Sequence, residues 1–382
     1  MKNRTRAGFY TLLLSAWLTL VSCGSPEGRW KGSVTRDDSG IMIIKNPREP
    51  LFGERVVRLE EELCITGGQE DQTFMNIVSL AVDSDERIYA LDARAGNIKV
   101  FSSSGEFLKV IGRRGQGPGE FGGPERLAIS PQNEIVVSDP SRRLIHFLDL
   151  EGHYIRQLPL NLPFFSGPKI LSNGDIIASY AILGDEYSSV LCRFDSQMNP
   201  VYTYTSIPMY KLPRVHIFLY RFVNDLQWDI TPNDEVAWAA MTSSEYEINV
   251  HDQRGPLIKK IIKEYDPIDI TDDEYNKLMK AWFGRPPSGG RFELIIPNHY
   301  PPFHTFMVDG EGRIFVRRFE EADKGERIYC EIFDQEGRYL TDFIFPEKTI
   351  PILFRGNNLF TREEDSEGYQ VIIRYQVKWK LE

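Results

Sequence analysis

The sequence predicts an all-β fold: a six-bladed β-propeller with four-stranded antiparallel blades, closed by strands from both termini and carrying one short helical insertion. Long helical patterns are almost absent, whereas short alternating apolar runs between Gly, Asn and Asp turns fill the chain. A four-strand unit also recurs along the sequence, and such a recurrence is typical of propellers. The last unit is one strand short, and an unassigned strand near the start can supply it.

The clearest unit covers residues 77–111 and contains four strand-like runs joined by short turns. Its order returns over residues 126–155, and looser copies follow. Successive units carry a polar residue in their first turn: Asp85, Asn133, Asn173, Asn233, Glu311 and Asn357. These markers are spaced by 48, 40, 60, 78 and 46 residues. A period of ~40–50 residues predicts propeller blades, and the longest step indicates an insertion.

The final unit supplies strands at 350–354, 359–362 and 369–379, and residues 55–59 read as the missing fourth. Pairing of the two ends would close the ring and remove exposed strand edges. We therefore expect one propeller domain over residues 55–382. The insertion is predicted to hold a helix at 272–283, because Thr271 and Glu274 fit a capping box.

The first 22 residues predict a signal peptide. Lys2, Arg4 and Arg6 precede an apolar run at 11–21, which is too short to span a bilayer. The run ends in Leu20-Val21-Ser22-Cys23, which resembles the bacterial lipobox; the resemblance implies a lipid on Cys23. The alternative is an ordinary cleaved signal peptide with a chance cysteine. Residues 23–54 are then a lipid-anchored tether and lead-in, because Gly24, Ser25 and Pro26 are typical linker residues.

The link between the first two units resembles the joint between blades of NHL-repeat propellers. It reads GRRGQGPGEF at 112–121, after a strand that ends at Ile111 and before a strand at 126–129. Together with the lipobox, these blades resemble the six-bladed propeller lipoproteins of Bacteroides-type bacteria. The resemblance implies an exported protein, held at the periplasmic side or the outer-membrane surface through its lipid alone.

Composition excludes one class of partner. The chain has 45 basic and 55 acidic residues and a formal net charge of −10, whereas non-specific binding to nucleic acid requires a basic surface. We expect no nucleic-acid partner and a monomeric protein.

We expect no cofactor, no metal and no assignable catalytic residue. Residues 117–122 fit G-x-G-x-x-G, but a strand follows them, whereas a dinucleotide loop opens a helix. Asp92 and Asp139 end the second strands of the first two units; they could bind a metal in the channel, but such residues more often hydrogen-bond their own turns. Cys64, Cys192 and Cys330 form no metal-binding pattern, and the last two are predicted to be buried thiols.

The long links point to a binding surface. Links at 112–123, 206–221 and 267–302 share one face of a propeller with the turns between second and third strands. Cationic and aromatic residues gather there: Arg94, Arg113, Arg114, Arg142, Arg143, Lys211, Arg214, Trp282, Phe292 and Tyr300. Aromatic rings beside arginines suit a sugar, an anionic glycan or a protein segment. The alternative is that the arginines pair with acids such as Glu120 and Glu125 while the aromatics pack the loops.

Two functions remain open at this stage. The first is a non-catalytic binding module for a glycan or protein partner, which predicts a groove lined by arginines and aromatics. The second is a hydrolase or lyase at the mouth of the central channel. An enzyme of this kind predicts several acids or histidines that converge at the ends of the inner strands.

Overall fold

The computed structural model describes residues 30–53, 56–67, 72–183, 187–209, 225–241, 245–273, 276–277, 280, 299–318 and 328–380. Over these residues the chain forms six β-sheets, each with four antiparallel blade strands, and these sheets are the six blades of a propeller. The predicted fold class is confirmed.

Three strands precede the first blade: β1 (Ser33–Arg36), β2 (Met42–Asn46) and β3 (Val57–Ile65). Blade 1 contains β4 (Ile77–Val82), β5 (Ile88–Asp92), β6 (Asn97–Phe101) and β7 (Phe107–Ile111). Blade 2 contains β8 (Arg126–Ile129), β9 (Glu134–Asp139), β10 (Leu144–Asp149) and β11 (Tyr154–Pro159). Blade 3 contains β12 (Ser166–Ile170), β13 (Ile176–Ile182), β14 (Tyr187–Phe194) and β15 (Pro200–Met209).

The other three blades follow in the same order, from the inner strand outwards. Blade 4 contains β16 (Asp225–Ile230), β17 (Val236–Met241), β18 (Glu247–His251) and β19 (Leu257–Lys263). Blade 5 contains β20 (Thr305–Val308), β21 (Ile314–Arg317), β22 (Tyr329–Phe333) and β23 (Tyr339–Ile344). Blade 6 contains β24 (Ile350–Arg355), β25 (Asn358–Glu364) and β26 (Gln370–Trp379).

The middle strands of each blade are buried because both of their faces pack against neighbouring blades. Strand β5 is buried at all five positions, and β9 at five of its six. Apolar side chains from adjacent blades form shared clusters; Tyr89 of blade 1 and Val137 of blade 2 belong to one of them. Burial of this apolar surface is the main stabilising contribution to such a ring.

Strand β3 closes the ring as the fourth strand of blade 6. It pairs antiparallel with β26, from Val57 opposite Trp379 to Ile65 opposite Ile372. Closure by strands from both ends is confirmed. The strand extends six residues beyond the predicted segment 55–59, because its second half also pairs with β26.

The segment before β3 binds the outer edges of two more blades. Strand β2 pairs in parallel with β19 of blade 4, and β1 pairs with β2. The N–H groups of Leu51 and Phe52 then donate to the carbonyls of Tyr339 and Leu340 in blade 5. We call the described residues 42–53 and 56–65 the N-terminal belt, since they cross blades 4, 5 and 6 in turn. Part of the predicted lead-in 23–54 is therefore strand.

The predicted insertion and cysteines can be placed in part. Residues 272, 273, 276, 277 and 280 are helical, and the rest of the predicted helix 272–283 lies outside the described residues. Cys192 and Cys330 are free and buried, as predicted, and Cys64 is free and exposed. In the part of the chain that the structure describes, no helix is both long enough and apolar enough to cross a membrane.

Candidate functional site

The inner strands of the six blades surround a central channel. It encloses a cavity of about 1260 Å³, lined by residues of β4, β8, β12, β16, β20 and β24. All six inner strands run in the same direction through the ring. They begin at the face that carries the links between blades, which we call the loop face. They end at the opposite face, which we call the turn face.

Three arginines line the loop-face end of this cavity, and we call them the mouth arginines. Arg126 is the first residue of β8 in blade 2. Arg317 ends β21 in blade 5, opposite Thr305, the first residue of the inner strand. Arg362 occupies the corresponding place in blade 6, opposite Ile350. The three side chains are therefore held at the same height on rigid strands.

The mouth arginines have few protein partners. Arg362 donates to the carbonyl of Ile77 at 2.7 Å, and Arg126 makes a long contact of 3.5 Å with the carbonyl of Val78. For Arg317 the described residues provide no side-chain hydrogen bond. None of the three forms an ion pair with a described carboxylate. Their charges are therefore not neutralised within this part of the protein.

Arg317, one of the three mouth arginines, has a pKa that is lowered by its surroundings. Burial lowers the pKa of its guanidinium, and only the Cys330 thiol, directly across the strand pair, opposes this shift. A partly buried charge without a described counter-charge is costly, and an anion bound at this position would relieve the cost.

The single carboxylate in the described lining, Asp229, is already occupied. It forms an ion pair with Lys169 on the neighbouring inner strand. Its other oxygen accepts a hydrogen bond from the Val308 N–H at 3.0 Å, across the boundary between blades 4 and 5. Asp229 therefore fastens three blades together towards the turn face.

An apolar wall faces the mouth arginines from blade 3. Phe164, in the link before β12, is 66% exposed, and Leu183, just after β13, is 52% exposed. Both residues line the cavity. The mouth therefore combines cations on one side with accessible apolar surface, including an aromatic ring, on the other.

The predicted arginines of blades 1 and 2 lie on the loop face, but none of them lines the cavity. Arg113 pairs with Glu120 at 2.7 Å while its own side chain is 81% exposed. Arg114 donates to the carbonyls of Ala93, Arg94 and Gly122, and Arg142 donates to those of Gln116, Gly117 and Glu120. Arg113 thus pairs with an acid, as the alternative interpretation expected. Arg114 and Arg142 instead brace the link at 112–123 through backbone carbonyls.

The remaining predicted residues divide into three groups. The side chains of Arg94 and Arg143 are exposed and have no hydrogen-bond or ion-pair partner within the described ranges. Tyr300 is half-buried, and its N–H donates to the Ile268 carbonyl at 2.8 Å. Four further candidates lie outside the described residues, as does Cys23: Lys211, Arg214, Trp282 and Phe292.

Asp92 and Asp139 hold the links between blades. Asp92 accepts hydrogen bonds from the N–H groups of Met75 and Asn76, just before β4. Asp139 accepts the equivalent bonds from Gly122 and Gly123, just before β8. Each carboxylate also caps its own turn, which is the role that the sequence favoured. Within the described ranges, no group of three or more His, Cys, Asp or Glu side chains is arranged to hold a metal.

Sequence reasoning missed the mouth arginines. Each of them lies at the loop-face end of a strand that borders the channel, in three different blades. Aligning the units would have shown this positional pattern. The absence of carboxylate partners, however, depends on the three-dimensional structure.

Comparisons with known proteins agree with the architecture. Residues 69–175 match the family model DUF5128, described as a 6-bladed beta-propeller. No curated protein matches the chain. A Bacteroides fragilis structure, of a protein for which export is inferred, superposes with a TM-score of 0.58 at 14% identity and covers 88% of this chain and 99% of that chain.

A second structure is that of a duf4221 family member from Bacteroides vulgatus. It gives a TM-score of 0.55 at 12% identity and covers 85% of this chain and 99% of that chain. At these identities the likeness shows a shared propeller fold.

Proposed function

We propose that the protein is an exported, lipid-anchored binding module that holds a glycan or a protein partner over the loop-face mouth of its channel. The observation that carries this proposal is the open mouth itself, with three arginines on one side and the exposed Phe164 and Leu183 on the other. Binding sites on propellers and other rigid scaffolds commonly use loops and strand ends in this way.

The sequence supports the export and the anchor. A basic start, an apolar run and the motif that ends in Cys23 occur in the order of a lipoprotein signal. Inferred export of the Bacteroides fragilis protein of similar fold agrees with this location. Replacement of Cys23 by Ala should release the protein from the membrane fraction; unchanged membrane association would contradict the anchor.

The lining favours binding over catalysis at the channel. A hydrolase or lyase needs a free acid or base within reach of its substrate. Asp229 is the single carboxylate in the described lining, and it is bound to Lys169 and to the Val308 N–H. Arginines and aromatic surface, in contrast, are what a binding site for a sugar or a peptide requires.

The test is a capture experiment with paired variants. Wild-type protein is applied to a glycan array and used in a pull-down from envelope fractions. The mouth variant Phe164→Ser with Leu183→Ser should lose the ligand, because it removes the accessible apolar wall. The rim variant Arg113→Ala with Arg143→Ala is the control, since neither residue lines the cavity.

Loss of the ligand in the rim variant alone would move the site to the outer loop face. Retention of every ligand by both variants would exclude the loop face of blades 1 to 3. Release of a chemically altered ligand by the wild type would favour the enzyme.

A further inference from the structure

We infer that the mouth arginines form an oxyanion site, so that the ligand carries a carboxylate, sulfate or phosphate group. The inference depends on the proposed function for the place where the ligand binds, and it adds the chemical class of the ligand. Guanidinium groups match these anions because their N–H groups form a planar fork that can donate two parallel hydrogen bonds.

The mouth arginines differ in their ion pairing from several other arginines of the chain. Arg87, Arg156, Arg313 and Arg338 each form an ion pair with a carboxylate, as expected in a protein with 55 acidic residues. Other arginines of the loop face, such as Arg114 and Arg142, also lack a described carboxylate partner, but they lie outside the cavity. The mouth arginines differ because three such cations share one cavity. An external anion is the counter-charge that would complete them.

The arrangement of the three side chains around the mouth also favours a shared anion site. Arg362 and Arg126 donate to the consecutive carbonyls of Ile77 and Val78, so they flank the start of β4 from either side. Arg317 extends from blade 5, which is the neighbour of blade 6. The cations thus occupy one continuous arc of the mouth, from blade 5 to blade 2.

The cations at the opposite, turn-face end of the same cavity have acidic partners. Lys169 pairs with Asp229 there, and Arg355 lies 3.9 Å from the Glu86 carboxylate. Among the described residues of the lining, cations are therefore matched by acids towards the turn face and unmatched at the loop face. An anion is thus favoured at the mouth over the other end.

The apolar wall opposite the arginines further restricts the chemical class of the ligand. Phe164 exposes its ring on the blade 3 side of the mouth, so a ligand that reaches across the opening meets an anion site and an apolar surface together. The class that fits is an acid whose oxyanion is attached to a ring or chain with an apolar face.

The test measures the binding of simple oxyanions to the full mature protein. Isothermal titration calorimetry compares sodium sulfate and sodium phosphate with sodium chloride at equal ionic strength. Arg317→Gln removes the charge and keeps a polar side chain, and Arg355→Gln is the matched control at the turn-face end of the cavity. The dissociation constant of the bound oxyanion should rise about tenfold or more in Arg317→Gln, because a charge-assisted hydrogen bond is lost.

The control variant should bind as the wild type does. Arg317→Lys should fall between wild type and Arg317→Gln, because it keeps the charge and loses the fork. Since the described residues give Arg317 no partner, Arg317→Gln should melt no lower than the wild type. Arg126→Gln, at an exposed position, gives a second measurement that does not depend on the stability of the first variant.

Two matched ligand pairs distinguish the sources of the oxyanion. Glucuronate against glucose tests an acidic sugar, and N-acetylglutamate α-amide against N-acetylglutamine α-amide tests a peptide acid. The charged member of at least one pair should bind more tightly, and the difference should disappear in Arg317→Gln. Absence of oxyanion binding in the wild type, or an equal loss in Arg355→Gln, would overturn the inference.

The outcome also separates this inference from the proposed function. A captured neutral ligand that binds Arg317→Gln as well as wild type keeps the binding function and rejects the oxyanion site. Binding of sulfate or glucuronate at Arg317 without any captured macromolecule keeps the oxyanion site and rejects the larger partner.

Discussion

Blades 1 to 3 and blades 4 to 6 have the same sheet order but different outer edges. The N-terminal belt pairs with β19 of blade 4, with residues 339 and 340 of blade 5 and with β26 of blade 6. The outer strands β7, β11 and β15 of the first three blades pair with no further strand in the described part of the chain. We refer to the two sets of blades as the belted half and the open half.

The difference shows two ways of stabilising the same unit. Each blade of the open half is built from four consecutive strands, so its pairings are local hairpins. The belted half depends on residues that are distant in sequence, such as Val57 and Trp379. Local units form with a small loss of chain entropy, whereas distant pairings cost more and tie the whole ring together.

Removal of the belt should have the largest effect. A protein that begins at residue 67 lacks β3, so β26 loses its partner strand and the cluster around Val57 loses its cover. We expect loss of the folded state, or a fall of more than about 5 kcal/mol in the free energy of unfolding, since total stabilities are about 5–15 kcal/mol. Urea unfolding, monitored by circular dichroism, measures this free energy.

A protein that begins at residue 54 is the control, because it keeps β3 and loses only the contacts with blades 4 and 5. It should unfold at an intermediate urea concentration. Equal midpoints for this protein, the shorter one and the full body would show that the belt is not needed for closure.

Buried ion pairs give the next effect, one in each half. Lys99 and Asp92 of blade 1 lie 3.0 Å apart, and Lys263 and Glu331 lie 3.1 Å apart between blades 4 and 5; all four side chains are buried. Asp92→Asn and Glu331→Gln should each cost about 3–5 kcal/mol, because a buried lysine is left without its counter-charge. Urea unfolding of each variant checks this; a cost below about 1 kcal/mol in either would show that the lysine reaches solvent.

Asn46 ties the belt to blade 5 through a single side chain. Its amide donates to the carbonyl of Gly337 at 2.9 Å, and its oxygen accepts from the Tyr339 N–H at 2.8 Å. Asn46→Ala leaves these buried groups unpaired and should cost about 1–3 kcal/mol. Asn199→Ala, at an exposed turn of the open half, is the control and should change stability by less than about 0.5 kcal/mol. Equal effects would mean that the belt contributes nothing through this residue.

Acid should destabilise the open half before the belted half, and this is the smallest of the predicted effects on stability. Burial alone would raise the pKa of Asp83 and Asp92, but hydrogen bonds from backbone N–H groups and their basic partners outweigh it and hold both pKa values below the usual one. Such groups stabilise the fold at neutral pH, and the contribution is lost as the pH falls through their lowered pKa values. Burial raises the pKa of Asp334 in blade 5, so protonation there favours the folded state.

Hydrogen exchange at pH 7 and at about pH 3.5, near the ordinary pKa of aspartate, measures this difference. After correction for the intrinsic pH dependence of exchange, protection should fall more in blade 1 than in blade 5. An equal fall in both blades, or a larger one in blade 5, would contradict the assignment.

Much of the architecture could be predicted because blades repeat locally. The four-strand unit, the turn markers and the strand at 55–59 led to the correct number of blades and the correct closure. The first part of the belt escaped prediction because β2 is short and its partner strand lies far away in the sequence; Asn46, for example, contacts Ile262 across 216 residues. A short parallel pairing of this kind leaves no periodic trace in the sequence.

The site was harder to predict for a different reason. Arginines on long links stand out in a sequence, but Arg114 and Arg142 bind backbone carbonyls of the link itself. Arg317 and Arg362 lie on ordinary strands, and their distinction is that neither forms an ion pair with a carboxylate of the described residues. The three-dimensional placement of each carboxylate decides that property.

Closure by β3 also limits when the ring can form during synthesis. During synthesis, residues 57–65 emerge early, whereas their partners at 372–379 emerge some three hundred residues later. The ring cannot close in that interval, and the buried positions Val57 and Ile65 remain uncovered. Open-half blades can form meanwhile from neighbouring strands. This unpaired strand is therefore the segment that a chaperone has most reason to shield.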